Sequence, residues 1–202
     1  MTLADTVTNL GLLALKFGEV NRITFHADGA TPESDTTHTV MLGLIAGALA
    51  QEIGLDTGWV ARFALVHDLV EAYAGDTPTL RALSVDAKAD KKARERAAFD
   101  RIRAEFGLTL PWIDRTISIY ERQEMREARF VRAVDKLLPK ITHVANGCVT
   151  LLAEGVGYDE LVARYELQER ELKEYADDFP LVFELRAVLV GRVLDMYREV
   201  AR

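Results

Sequence analysis

Apolar residues recur at steps of three and four along almost the whole chain, and that period commits it to helices. Leu3, Val7, Leu10, Ala14 and Phe17 form one such stripe. Val40, Met41, Leu44, Ile45, Ala48, Leu49 and Ile53 form a wider one, opened by the helix-start signal Pro32-Glu33-Ser34-Asp35 and fading at Gly54. Trp59, Phe63, Val66 and Val70 continue the pattern until Gly75-Asp76-Thr77-Pro78 stops it. A charged stretch, 84–106, keeps Ala98, Phe99, Ile102 and Phe106 on one side, and Pro111 then opens a new helix. Residues 127–153 read as one long helix, kinked or broken near Pro139. Asp177-Asp178-Phe179-Pro180 opens a last helix, with Leu185, Val188, Leu189, Val193, Met196 and Val200 expected to face inward. No run of five or more residues alternates polar and apolar convincingly. The expected fold class is all-α: a single compact helical bundle over residues 1–202.

Composition narrows the chemistry. At 49% hydrophobic over 202 residues, the chain can bury a full core without covalent staples. One cysteine rules out an internal disulfide and a thiolate zinc module, and Cys148 is expected to pack as a small hydrophobe. Any transition-metal site must therefore draw on the four histidines (His26, His38, His67 and His143) and on carboxylates. The net charge of −7 argues against nucleic acid as a partner. The longest apolar run, Val40–Ala50, falls short of the ~20 residues a membrane span needs. The N-terminus has no Lys or Arg before Lys16 and so lacks a signal peptide's basic start; a cytoplasmic location is expected. Residues 81–103 lean basic and 154–178 acidic, which reads as two solvated helix faces.

The informative segment is Val66-His67-Asp68-Leu69-Val70-Glu71-Ala72-Tyr73-Ala74-Gly75-Asp76. On a helix, His67 and Asp68 would share a face with Glu71, three and four residues on, and Asp76 would hang just past the stop at Gly75. Three carboxylates and an imidazole in a small apolar volume are costly unless a cation neutralises them, which a bound divalent metal would do. A plainer reading makes His67 and Asp68 a helix cap or a satisfied core pair, and Asp76 a turn residue. Two further residues favour the metal. His38 stands in the first turn of the preceding apolar helix, and Asp135 stands in mid-helix among Val131, Val134 and Leu138, where a carboxylate calls for a partner.

Five pieces in order carry a resemblance: Asn21-Arg22; Glu33-Ser34-Asp35-Thr36-Thr37-His38; His67-Asp68-Leu69-Val70-Glu71; Gly75-Asp76-Thr77-Pro78; and Glu127 to Leu137 around Asp135. Together they resemble the HD-domain superfamily of metal-dependent phosphohydrolases, closest to its compact 5′-deoxynucleotidase-like and nucleotide-hydrolysing members. The matching core runs from about residue 21 to 138, with C-terminal helices over 158–202 packing on it. The resemblance implies one divalent transition metal, held by His38, His67, Asp68 and Asp135. Those donors suit Co²⁺, Mn²⁺, Zn²⁺, Fe²⁺ or Ni²⁺ alike. It implies acid/base and positioning roles for Glu71 and Asp76, undivided between the two. It places an arginine, Arg22, on the first helix against the substrate phosphate, with Lys136 as a further phosphate contact. His26, in a glycine-containing loop, and His143, about two helical turns past Asp135, are not expected to be ligands.

Two positions depart from the family pattern. Thr37 stands where the residue before the first ligand histidine is commonly acidic, and Ile23 where deoxynucleotidases tend to carry a tryptophan. The loop Thr24–Pro32 is longer than the shortest members need, with room to help build a base pocket. The expected activity is hydrolysis of a nucleoside 5′-monophosphate through a metal-bound water. Its rivals are release of triphosphate from a (deoxy)nucleoside triphosphate and a non-catalytic nucleotide sensor. The expected partner is thus a small nucleotide, with no nucleic acid and no membrane, and the resemblance leaves room for a homodimer through the apolar C-terminal helix.

Overall fold

The computed structural model describes residues 2–201. In chain order the elements are α1 (Leu3–Gly18), β1 (Asn21–Phe25), β2 (Pro32–Ser34), α2 (Asp35–Glu52), α3 (Thr57–Val66), α4 (Glu71–Ala74), α5 (Val85–Phe106), α6 (Pro111–Arg122), α7 (Arg126–Asp135), α8 (Leu138–Ala145), α9 (Val149–Ala153), α10 (Tyr158–Ala176) and α11 (Pro180–Val200). The all-α expectation holds apart from the small β1–β2 hairpin. Its strands are too short to show alternation. The turn is built by Asp28, whose carboxylate accepts from the backbone of Ala30 and Thr31, and by Gly29 at φ 66°. Among the described residues no helix is long and apolar enough to cross a membrane.

Side-chain caps start the helices where sequence signals placed them. Thr2 and Asp5 exchange side-chain bonds with each other's backbone N–H at the start of α1. Ser34, Asp56 and Ser84 accept from the first turns of α2, α3 and α5. Pro111 and Pro180 occupy the first turns of α6 and α11, where a missing N–H costs nothing.

The chain divides into two compact units: Met1–Arg22 with Ser34–Ala128, and Ile23–Glu33 with Arg129–Arg202. In the first, Leu13 and Phe17 of α1, Val66 and Val70, Ala98, Ile102 and Phe106 of α5, and Ile113 and Ile117 of α6 form one buried cluster. In the second, Phe130 meets Phe179 edge-on at 5.2 Å, among buried Leu137, Leu138, Leu151, Leu161, Val182 and Val193.

The second unit departs from the expected long helix over 127–153. That stretch is three helices, broken at Lys136-Leu137 and again at Asn146–Cys148, where Gly147 (φ 67°) and Cys148 (φ 62°) turn left-handed. Pro139 starts α8 rather than kinking a longer helix. Cys148 is buried, as expected. In α11 the buried face is Val182, Arg186, Val193 and Tyr197, while Val188 and Val200 are exposed. Arg186 sets that register by pairing with Glu169 at 3.0 Å and donating to the Tyr165 carbonyl.

His143, on α8, is buried, and its Nδ1 makes no hydrogen bond. Burial, aided by the nearby Lys140 charge and opposed by Glu33, pushes its pKa down to about 4. The unfolded ring titrates near ~6.5, so between the two values the unfolded chain binds the extra proton. Stability from a neutral His143 is therefore intact above pH ~6.5 and is lost as pH falls toward 4. Urea unfolding at pH 7 and pH 5 is expected to show wild type losing about 2 kcal/mol more than His143→Gln over that interval. Equal losses in the two proteins would contradict it.

Candidate metal centre

The His67-Asp68 pair was expected in mid-helix, and the structure corrects this. Helix α3 ends at Val66, and residues 67–70 form a tight turn with i→i−3 bonds before α4 begins at Glu71. His67 itself produces the break. Its Nδ1 donates to the Ala64 carbonyl at 2.8 Å, the group that a continuous helix would offer to the Asp68 N–H. A carbonyl can only accept, so Nδ1 carries a proton, and in the neutral form of the ring Nε2 presents a lone pair. That Nε2 is buried, lies 3.0 Å from Asp68 Oδ2, and makes no hydrogen bond. Two electron-donating atoms held this close repel one another unless a proton or a cation lies between them.

Helix α2 brings up the second imidazole. His38 is buried one turn into α2, its ring centroid 5.5 Å from that of His67. A ring nitrogen of each lies within 4.8 Å of the other. Arg22 was expected on the first helix; it lies instead on β1, past the end of α1. Its Nη1 donates to Asp35 Oδ1 at 2.9 Å and to Asp68 Oδ2 at 2.8 Å, and stands 3.9 Å from Glu71 Oε2. Asp76 follows Gly75, whose φ of 73° and ψ of 153° carry the chain out of α4, and it lies in the field of Arg22, Asp68 and His38.

Asp35 escapes the sequence reading. Ser34-Asp35 is read there as a helix start and as part of the piece that ends in His38, with no role given to Asp35, yet Asp35 is fully buried and one of its oxygens, Oδ2, has no hydrogen-bond partner. The available signal was spacing, since Asp35 precedes His38 by three and shares its helix face. One oxygen each from Asp35, Asp68 and Glu71 falls within 4.8 Å of the others. Thr37, the departure before His38, is exposed and its N–H caps onto Ser34.

Electrostatics gives the cluster its need. Asp35, Asp68, Glu71 and Asp76 lie in the field of the Arg22 guanidinium, with Lys91 also acting on Asp76. Burial, with Asp68, Asp76 and Asp35 nearby, pushes the Glu71 carboxyl up to about 10. Burial likewise raises Asp35 to about 6, against the pull of Arg22, and raises Asp76. A divalent cation would offset the excess of carboxylates. The bare Nε2 of His67 and the unpartnered oxygens of Asp35 and Glu71 offer buried donors for it, so the residues present fit a divalent metal.

The first unit thus brings together His38, His67, Asp68, Glu71, Asp76 and Arg22. Asp135 and Lys136 belong to the second unit. Asp135 is the last residue of α7 rather than a mid-helix residue, and Lys136 Nζ donates to its Oδ2 at 2.8 Å. His26 lies in the hairpin turn and is half-buried.

The HD domain family matches residues 14–176, and the chain belongs to that family. Its fold is similar to that of a predicted metal-dependent phosphohydrolase from Magnetospirillum magnetotacticum MS-1, with 24% identity, 95% of this chain and 97% of that one covered, and a TM-score of 0.71. It is also similar to a conserved hypothetical protein from Pyrococcus furiosus, with 22% identity, 89% and 99% covered, and a TM-score of 0.58. No curated protein matches.

Proposed function

We propose that the chain is a metal-dependent phosphohydrolase acting on nucleotides, with nucleoside 5′-monophosphates as the leading substrate class. The observation that carries the metal is the His67–Asp68 pair, whose bare Nε2 and carboxylate oxygen stand 3.0 Å apart without a hydrogen bond. His38, His67 and Asp68 would hold the ion, and Asp135 completes the set on the family pattern. When bound, such an ion polarises a phosphoryl oxygen and makes water a competent nucleophile at neutral pH.

The chain's own residues supply the rest. Arg22, anchored by Asp35, presents a guanidinium suited to phosphate oxygens. Lys136 is a further phosphate contact on the family pattern. Glu71, buried at the start of α4, orients the attacking water and, once a bound cation offsets the neighbouring carboxylates that raise it, accepts the water's proton. Asp76, beyond the helix end, donates to the leaving-group oxygen. The nucleotide as substrate rests on the resemblance of the motifs to compact nucleotide-hydrolysing members of the family.

A panel of nucleoside mono-, di- and triphosphates with added Mn²⁺ or Co²⁺, read separately for phosphate, pyrophosphate and triphosphate, tests this. Orthophosphate released from monophosphates is the expected result. Triphosphate as the product moves the chain to the triphosphohydrolase class. Nucleotide binding with no turnover under any metal overturns the enzyme reading in favour of a sensor.

A further inference from the structure

We propose that Arg94 is a positioning residue that splints the loop carrying Asp76. The inference rests on the role given to Asp76 above. Residues 75–84, between α4 and α5, have no regular structure. Asp76, Thr77 and Pro78 make no backbone–backbone hydrogen bond outside themselves or within the loop. Gly75 adds freedom, since its φ of 73° lies where a residue without Cβ moves most easily. Left alone, a side chain on such a loop would sample many orientations, and proton transfer tolerates few.

Arg94 stands in the third turn of α5, and its three donor nitrogens go to three places. Nη1 donates to the Ala74 carbonyl, an acceptor that the end of α4 leaves unused. Nη2 donates to Thr77 Oγ1 at 2.8 Å. Nε donates to Asp90 Oδ2 at 3.1 Å, one turn back on α5. Ala74 and Thr77 flank Gly75 and Asp76, so one planar guanidinium grips the chain on both sides of the proposed acid. The fork geometry is specific to arginine, because a lysine ammonium on its flexible stem cannot hold both acceptors in a fixed plane.

The platform behind Arg94 is fixed. Helix α5 buries Ala98, Ile102 and Phe106 in the core of the first unit. It also holds α4 through Tyr73, whose hydroxyl donates to Glu105 at 2.6 Å while the Arg101 guanidinium lies 3.8 Å from the ring centre. Arg94 thus links the loop to a helix that is itself tied to α4, the element carrying Glu71.

Backbone ¹⁵N order parameters on metal-free full-length protein test the splint without reference to activity. In Arg94→Met the values at Asp76 and Thr77 are expected to fall from about 0.85 to below about 0.6, with α2 and α3 unchanged. Thr77→Val is expected to loosen the same two residues, and Thr77→Ser to leave them rigid. Unchanged order parameters in Arg94→Met overturn the inference whatever the activity. Kinetics then tests the positioning role. With nucleotide as substrate, Arg94→Met is expected to lower kcat about 10- to 100-fold with KM and bound metal within about twofold of wild type. It is also expected to add nothing to Asp76→Asn. A loosened loop with full kcat overturns the positioning role. A loosened loop in a chain that hydrolyses no nucleotide sinks the functional reading and leaves the splint standing.

Discussion

Asp68→Ala protein, purified and dialysed against Mn²⁺ or Co²⁺, is expected to carry metal only at background level, where wild type carries about one ion per chain. Asp68 is both a donor beside the bare Nε2 of His67 and the partner of Arg22. If the carboxylate were there only to pair Arg22, its removal would destabilise the protein and leave metal content alone. The cluster predicts the opposite. Four carboxylates already crowd one guanidinium, and Arg22 keeps its bond to Asp35 when Asp68 is gone. Metal-free Asp68→Ala should therefore unfold at or above the wild-type urea midpoint while its metal affinity drops by more than the roughly 10- to 100-fold that loss of an outer partner costs. Asp135→Ala tests the family-pattern ligand in the same assay. Wild-type metal content in Asp68→Ala would remove the proposed centre altogether.

Glu71→Gln is expected to keep its metal and lose about 10²- to 10⁴-fold in kcat, with little change in KM. The amide has the shape of the acid and retains one carbonyl oxygen, so packing at this buried position is preserved. What it cannot do is accept a proton. Glu71 Oε2 has no hydrogen bond and lies 3.9 Å from Arg22, near the cluster but not consumed by it. Burial and the charges of Asp68, Asp76 and Asp35 make Glu71 costly to ionise, so a neutral amide in its place should leave the variant at least as stable as wild type. Full activity in Glu71→Gln would falsify the acid/base role and leave the metal centre intact.

How much of this was legible in the sequence follows from how local each signal is. The helices could be read because their period repeats within each segment and their caps are short and adjacent. His67, Asp68, Glu71 and Asp76 could be read because they fall within ten residues of one another. The break at 67–70 was hidden, because it depends on one ring nitrogen competing for one carbonyl. The burial of α2 was hidden differently. Val40 and Leu44 are exposed, while Asp35, His38 and Thr39 face inward with Leu42, Ala46 and Ala50. A helix apolar on several sides does not announce which side is inside, and here the polar residues mark it. Asp35 and Arg94 were invisible for a third reason. Each acts on a partner more than ten residues away, and nothing in the residue type names that partner.

The opening of α2 carries a consequence for how this chain can vary in length. Asp35 touches Arg22 while His38, three residues on, faces His67. One residue inserted between them would rotate one side chain against the other by about 100° around the helix axis. The four positions from Asp35 to His38 therefore admit neither insertion nor deletion. The hairpin turn at 26–31 lies a few residues upstream and is bounded by the His26–Thr31 backbone bond, so it can lengthen without disturbing that phase. Length polymorphism in relatives of this chain should accordingly collect in the turn and stop at Ser34.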